Sequence, residues 1–228
     1  MLKGESMINT TKRNEIGIDD ILSAFSVSEV PEANLQLADP SLVAYYKSYS
    51  NRIIYLDRDI DDTLFGEIRK IIQWNLEDTK NGIPIEDRKP IKIYIHSYGG
   101  SLDATFAMID VMNLSKTPIY TYNLNCALSA GCVIFINGHK GHRYAMPTSK
   151  ALVHEGSGGT SGTFGETQAQ MADYKKMVDN MKENIMSHTT IDQKTMTKWK
   201  NKDVYLYPED QIKYGICDEI LDDITKMF

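Results

Sequence analysis

The stretch Pro118–Gly131, with the sequence PIYTYNLNCALSAG, decides the fold and contains the first candidate for chemistry. Residues Ile119–Leu124 are mostly aliphatic or aromatic and predict a strand, which Pro118 bounds on its N-terminal side. From Ser129 onward an apolar run predicts a buried helix that ends at Asn137–Gly138. Ser129 is therefore expected at the point where a strand turns into a helix.

The N-terminus of a helix suits two different roles for Ser129. Its free backbone N–H groups and positive dipole end favour a nucleophilic hydroxyl and the oxyanion that its attack creates. A serine at this position also commonly does no more than cap the helix. Taken alone the stretch favours the cap, because nucleophilic serines are far rarer. The decision depends on the partners that Ser129 has elsewhere in the chain.

The composition is that of an ordinary globular protein with one large domain, or with one domain and an appendage. The chain has 228 residues, of which 42% are hydrophobic and 25% charged, and its formal net charge is −6. This charge argues against nucleic acid as a partner. No apolar run reaches the roughly 20 residues that span a bilayer, and we recognise no signal peptide, so a cytoplasmic protein without membrane contact is expected. Cys126, Cys132 and Cys217 lack metal-type spacing and are expected to be free thiols.

Helices and strands alternate along the chain, which predicts an α/β fold with a mostly parallel sheet. Residues 1–40 are polar and irregular and are interpreted as an N-terminal arm, so the folded domain is expected over 41–228. The predicted helices cover 41–50, 63–77, 103–114, 166–188 and 191–200, with a helical turn at 208–213. The other predicted strands cover 52–56, 91–95, 142–145, 150–154 and 203–206, and Gly215 is expected to be a cap before the segment 216–220. The buried face of the second helix is expected to carry Leu64, Ile68, Ile71, Ile72 and Leu76.

A serine nucleophile needs an imidazole to accept its proton, an acid to orient that imidazole and N–H donors for the oxyanion. His154 is the best of five histidines because it ends a strand and opens a glycine-rich loop, although a structural histidine is the alternative. His139 and His142 lie in a glycine-rich turn and are expected to be solvated. The pair Gly99–Gly100 joins a strand to a helix, where it could present an N–H to an anion; neither common phosphate-loop motif is present.

Four segments together carry a resemblance to a known family: YIHSYGGSLDATFAMIDVM, ALSAG, GHRYAMPTSKALVHEGSGG and DVYLYPEDQIKYGICDEIL. In this order and spacing they resemble the proteolytic subunit of the Clp protease, the ClpP family, over roughly Ser41–Leu221. The resemblance implies a ClpP/crotonase-like αββ superhelix with a protruding handle helix, which matches residues 166–188. It departs from the family at Tyr98, where the family has proline, and at Glu155–Gly156, where the family has Gln-Pro.

The resemblance also implies the site and its chemistry. It makes Ser129 the nucleophile, His154 the base and Asp203 the orienting acid, with the backbone N–H groups of Gly100 and Ala130 as oxyanion donors. No metal or other cofactor is implied. The residues that would bind an extended substrate are Gly99, Ser101, Leu102, Gly156, Ser157 and Gly158.

The function implied is that of a serine endopeptidase acting on unfolded polypeptides inside a self-compartmentalised homo-oligomer of stacked heptameric rings. The implied partner is an AAA+ unfoldase of the Clp type, although the first 40 residues are unlike the family's axial loops. Two alternatives are kept: a crotonase-like acyl-CoA enzyme that uses the same N–H donors, and a non-catalytic ring subunit. Retention of Ser129, His154 and Asp203 argues against both.

Overall fold

The structure is a computed structural model that describes residues 39–227. The predicted N-terminal arm lies almost wholly outside the described residues, and the domain boundary at residue 41 stays a prediction. Helix α1 (Pro40–Ser50) belongs to a first compact unit, and the described residues from Asn51 onward form a second. Within α1 the ring of Tyr45 stacks on that of Tyr49, with 6.3 Å between their centroids.

The second unit alternates strands and helices, as expected for an α/β fold. Its strands are β1 (Ile53–Leu56), β2 (Ile91–Ser97), β3 (Ile119–Leu128), β4 (Arg143–Ala145), β5 (Lys150–Val153), β6 (Val204–Leu206) and β7 (Glu219–Ile220). Its helices are α2 (Phe65–Lys80), α3 (Leu102–Leu114), α4 (Ala130–Ile136), α5 (Phe164–His188), α6 (Gln193–Trp199) and α7 (Pro208–Lys213). The predicted helices and strands are all found, and β7 lies within the segment 216–220, for which no element type was predicted.

One sheet contains the seven strands, in the order β1-β2-β3-β4-β7, with β5 paired to β3 and β6 paired to β5. All pairings are parallel except that of β5 with β6. Strand β3 has two neighbours on the same side, because its residues 121–123 pair with β4 and its residues 126–128 pair with β5. The prediction of a mostly parallel α/β fold is confirmed.

Strand β3 is longer than predicted, because it continues past Leu124 to Leu128. Within the strand Asn123 is buried, and its side-chain amide nitrogen donates to the carbonyl of Lys150 at 3.1 Å. This bond satisfies the donor side of the amide, whereas its Oδ1 has no hydrogen-bond partner among the described residues. The extension brings Ser129 to the C-terminal edge of the sheet.

The face predicted to be buried by the second helix is buried only in part. Leu64, Ile68 and Ile71 are buried as expected, but Ile72 and Leu76 are exposed. Their places are taken by Trp74 and Asp78. Asp78 can be buried because Arg52 donates to its carboxylate through two nitrogens, at 2.6 and 2.7 Å, and the hydroxyl of Thr117 donates at 2.7 Å.

A second buried ion pair joins β4 to the chain that leads into β7. Arg143 is 1% exposed and donates to both carboxylate oxygens of Asp218, at 2.6 and 2.8 Å. The N–H of Gly141 donates to the same carboxylate at 2.8 Å. Arg143 also donates to the carbonyl of His188 at 2.8 Å, at the C-terminal end of α5. Burial raises the pKa of Asp218, but the hydrogen bonds from Arg143 outweigh it and hold that pKa below its usual value.

Four tyrosines lie side by side across one face of the sheet, on β1, β2, β3 and β4. Tyr55, Tyr94, Tyr122 and Tyr144 are direct register partners. Neighbouring ring centroids are 5.4, 4.8 and 4.9 Å apart. Burial raises the pKa of Tyr94 to about 12, and its hydroxyl donates to the carbonyl of Met227 at 2.8 Å. We call this row the tyrosine ladder.

The three cysteines are free and buried, as expected. Burial raises the pKa of the Cys132 thiol to about 12. Across residues 39–227, no helix has the length and apolar character needed to cross a membrane.

Candidate active site

Ser129 lies between β3 and α4 in an unusual backbone conformation. Its φ is 53° and its ψ is −122°, a region that residues other than glycine rarely adopt. The N–H of Ser129 donates to the carbonyl of Leu152 at 3.1 Å, and its carbonyl accepts from the N–H of Cys132 at 2.9 Å. The side chain makes no capping bond to α4. The hydroxyl is therefore held at the helix entrance without being used as a cap.

The side chains of Ser129, His154 and Asp203 form one connected chain of hydrogen bonds. The Oγ of Ser129 is 2.7 Å from Nε2 of His154, and Nδ1 of His154 is 3.1 Å from Oδ1 of Asp203. The His154 side chain is 21% exposed and that of Asp203 is 62% exposed. The three residues are separated by 25 and 49 positions in the sequence, and the structure brings all three together.

The sheet explains why His154 and Asp203 meet. Val153 and Val204 are register partners in the antiparallel pair of β5 and β6. His154 follows Val153 and Asp203 precedes Val204, so the antiparallel pairing sets them side by side. Strand β5 also lies parallel to the end of β3, with Leu128 opposite Leu152, which brings His154 to Ser129.

The glycine pair approaches Ser129 so closely that side chains are excluded. Gly99 has a φ of 107°, and a Cβ added there would lie 2.8 Å from the Cβ of Ser129. Gly100 has a φ of 143°, and an added Cβ would overlap the carbonyl of Ile60. Within residues 39–227 the N–H groups of Gly100 and Ala130 donate to no protein acceptor. Both N–H groups are available to a ligand.

The other residues expected to bind substrate differ in what their backbone already does. The N–H of Ser101 donates to the carbonyl of Ile60 at 2.7 Å, and its side chain caps α3 just before Leu102. The carbonyl of Gly99 accepts from the N–H of Ile60 at 2.8 Å. These groups are engaged and would have to be released to pair with a peptide.

Gly156, Ser157 and Gly158 form an exposed segment directly after His154. Their backbone groups make no ladder or turn bonds to other parts of the described chain. Gly158 packs over the ring of Tyr174, where an added Cβ would lie 3.1 Å from a ring carbon. This segment therefore offers free backbone donors and acceptors beside the site.

The remaining histidines do not contact Ser129. His139 is exposed as predicted, whereas the prediction of a solvated His142 is wrong. His142 is half-buried, its ring stacks on that of Tyr120 at 3.9 Å, and its Nδ1 is 3.0 Å from the hydroxyl of Tyr144. Burial, with a smaller contribution from His139, lowers the pKa of His142.

Sequence reasoning missed one polar group next to the site. The carboxylate of Glu155 accepts from Lys182 at 2.5 Å and from the N–H of Asn201 at 3.3 Å. The hydrogen bond from Lys182 lowers the pKa of Glu155. The available signal was the glutamate itself, which follows His154 where the resembled family has glutamine.

The geometry can perform acyl transfer. A hydroxyl in contact with an imidazole, which in turn contacts a carboxylate, is the arrangement that activates serine as a nucleophile. Free N–H groups at the helix entrance suit a developing oxyanion. Within the described residues no group of three or more histidine, cysteine or acidic side chains is arranged to hold a metal ion.

Comparison with known proteins identifies the family of this chain. The family model described as Clp protease matches residues 39–223. An ATP-dependent Clp protease proteolytic subunit of Deinococcus radiodurans is 29% identical over 178 residues, covering 78% of this chain and 84% of the relative. Proteolytic subunit 2 of Corynebacterium diphtheriae is 30% identical over 191 residues, covering 83% and 90%. Subunit 1 of Rhodopirellula baltica is 31% identical over 172 residues, covering 75% and 72%.

Fold and comparisons together define a serine peptidase built on an α/β scaffold. More particularly, the chain belongs to the Clp protease family and is a divergent member of it, at about 30% identity to the relatives just described.

Proposed function

We propose that the protein hydrolyses peptide bonds of unfolded polypeptides, with Ser129 as nucleophile, His154 as general base and Asp203 as the orienting acid. One observation carries the proposal: the 2.7 Å contact of Ser129 with His154 continues into a 3.1 Å contact with Asp203. A hydrogen-bonded serine and imidazole that a carboxylate orients is what nucleophilic acyl transfer requires.

The proposed reaction begins when Oγ of Ser129 attacks the scissile carbonyl carbon while Nε2 of His154 takes its proton. Asp203 keeps the other ring proton on Nδ1 and stabilises the imidazolium. The oxyanion then accepts hydrogen bonds from the N–H groups of Gly100 and Ala130. His154 returns its proton to the leaving amine, and water activated by the same imidazole hydrolyses the acyl-enzyme.

The proposed substrate is an extended chain that pairs with exposed backbone. The segment 156–158 supplies free donors and acceptors, so it would add the peptide as a strand. Binding through the backbone reads little of the side-chain sequence, which favours broad specificity among unfolded chains. On the other side of Ser129, the engaged backbone of Ser101 leaves fewer such groups.

We also propose that the chain works as a homo-oligomer of stacked heptameric rings with an AAA+ unfoldase of the Clp type, because its relatives are named proteolytic subunits of ATP-dependent Clp proteases. Helix α5 supports an interface. Val178, Met181 and Ile185 are buried within the chain, whereas Phe164 and Met171 are exposed near its N-terminal end. Exposed apolar residues on a long helix suit contact with another copy. The free, buried cysteines are compatible with the cytoplasm.

The test is covalent labelling of the purified protein with a fluorophosphonate, with the adduct located by mass spectrometry. We expect the adduct on Ser129, and Ser129→Ala should abolish both labelling and casein cleavage, since no other group replaces the nucleophile. Native mass measurement on the same sample gives the number of subunits. An adduct on another residue, or no adduct in an oligomeric sample, contradicts the proposal.

A further inference from the structure

The segments that carry His154 and Asp203 are joined a second time, one residue beyond the proposed triad. Glu155 follows His154, and its Oε2 accepts from the N–H of Asn201, which lies two residues before Asp203. The distance is 3.3 Å. The pair His154–Asp203 is thus held on one side by the register partners Val153 and Val204, and on the other by this bond.

The same glutamate is tied to the long helix α5. Its Oε1 accepts from Nζ of Lys182 at 2.5 Å, and its backbone carbonyl accepts from the hydroxyl of Tyr174 at 3.3 Å. The side chains of Glu155 and Lys182 are 23% and 25% exposed, so water screens this pair only in part. Glu155 therefore connects three segments: the end of β5, helix α5 and the turn before β6.

Asp203 has little else to hold it. Among the described residues its carboxylate has no hydrogen-bond partner other than His154, and its side chain is 62% exposed. The turn before it is an unusual one, because Asn201 has a φ of 57°. Two backbone N–H groups hold this turn: that of Lys202 donates to the carbonyl of Trp199 at 3.0 Å, and that of Asn201 donates to Glu155. The bond to Glu155 is therefore one of the contacts on which the position of the carboxylate depends.

We propose that Glu155 is a positioning residue that, through Lys182 and the N–H of Asn201, holds the carboxylate of Asp203 in line with His154. The proposal rests on the catalytic roles proposed above. Without this bond, the turn at residues 200–202 relaxes and the 3.1 Å contact between His154 and Asp203 lengthens or breaks in part of the molecules. Small misplacements of a catalytic group can cost up to about 100-fold in rate, so we expect a loss of roughly 10-fold.

The test compares the rate of fluorophosphonate labelling with the final labelled fraction in the full chain. The variants are Glu155→Ala, Glu155→Gln and Lys182→Met. Lys175→Met is the matched control, because Lys175 lies on the same helix in an exposed ion pair with Asp179. We expect Glu155→Ala and Lys182→Met to label about 10-fold more slowly yet to completion, with lower kcat and unchanged KM on a short peptide. Glu155→Gln keeps an oxygen for Asn201 and should recover part of the rate.

A role limited to folding gives a different pattern. It would lower the labelled fraction while the rate of each competent site stays that of the wild type, and this result overturns the inference. Labelling of Glu155→Ala and Lys182→Met within two-fold of the wild type overturns it as well. Failure of the wild type to label on Ser129 would instead refute the proposed function, so the two outcomes are distinct.

Discussion

Substitution of Asp203 tests how much an exposed carboxylate contributes to a serine peptidase site. Asp203→Ala removes the charge that lies 3.1 Å from Nδ1 of His154 and leaves the rest of the site intact. Two unit charges about 4 Å apart interact by about 1 kcal/mol in water and about 4 kcal/mol near a protein surface. The Asp203 side chain is 62% exposed whereas His154 is 21% exposed, so the loss should lie between these limits.

We take about 2 kcal/mol as the loss of imidazolium stabilisation, which corresponds to roughly a 30-fold decrease in kcat. Asp203→Asn should cost more than Asp203→Ala. Its amide can donate to Nδ1 of His154, which places the ring proton on Nε2, where it prevents acceptance of the serine proton. The order of the two variants therefore reports the orienting role separately from the charge.

The assay is steady-state cleavage of a fluorogenic peptide, with Ser129→Ala as the baseline and Asp222→Ala as a control for loss of an exposed carboxylate. Asp222 is paired with Lys226 on the surface, and its variant should match the wild type. If Asp203→Ala is as inactive as Ser129→Ala, the argument from solvent screening is wrong. If it keeps wild-type kcat, Asp203 has no part in catalysis.

Three further predictions concern Gly99 at the site and the buried pair of Arg143 with Asp218. Gly99→Ala should abolish labelling of the proposed nucleophile and lower the free energy of unfolding in urea by about 1–3 kcal/mol, because the φ of 107° and the nearby chain exclude a Cβ at this position. Gly66→Ala is the control and should have neither effect, because a Cβ added at Gly66 would have no atom within 4 Å. Asp218→Ala should lower the free energy of unfolding by about 3–5 kcal/mol, because it leaves Arg143 buried without its partner. Asp222→Ala removes an exposed surface pair and should leave the unfolding midpoint unchanged; equal effects of the two variants would contradict the reasoning. The pKa of Asp218 is lowered in the folded protein, so its contribution to the free energy of unfolding is complete above the unfolded pKa of about 3.9 and is lost as the pH falls through the folded pKa. Urea unfolding at several pH values and one protein concentration would detect this loss.

The sequence predicted the part of the site that depends on the succession of neighbouring elements along the chain. A strand, a serine and a buried helix in immediate succession place Ser129 at a helix entrance, and the structure has this arrangement. The meeting of His154 with Asp203 could be expected only through the family resemblance. It arises from the antiparallel register of β5 and β6, which no local pattern in two strands of three and four residues determines.

The errors at polar residues have a common cause. The burial of each polar residue was predicted from its residue type, whereas in the structure it depends on the groups that the side chain contacts. Asn123 lies inside a strand that runs past its predicted end at Leu124, and Asp78 lies in the core beside a helix face for which only apolar residues were predicted. Asp78 is buried because Arg52 donates to its carboxylate, and Asn123 is buried with its amide nitrogen donating to the carbonyl of Lys150 and its Oδ1 without a hydrogen-bond partner among the described residues. His142 was assigned to solvent although an aromatic ring across the strand pair covers it. Such partners lie far away in sequence and come together only in the folded chain.

The tyrosine ladder gives the sheet a built-in optical reporter. Its four rings lie on the same face of the sheet because the four strands are paired in one register. A slip of any strand by one residue would turn the ring on that strand to the opposite face. Phenol rings with centroids 4.8–5.4 Å apart couple their electronic transitions. The near-ultraviolet circular dichroism of this protein should therefore change when a strand slips, even in a variant that retains its full helix content.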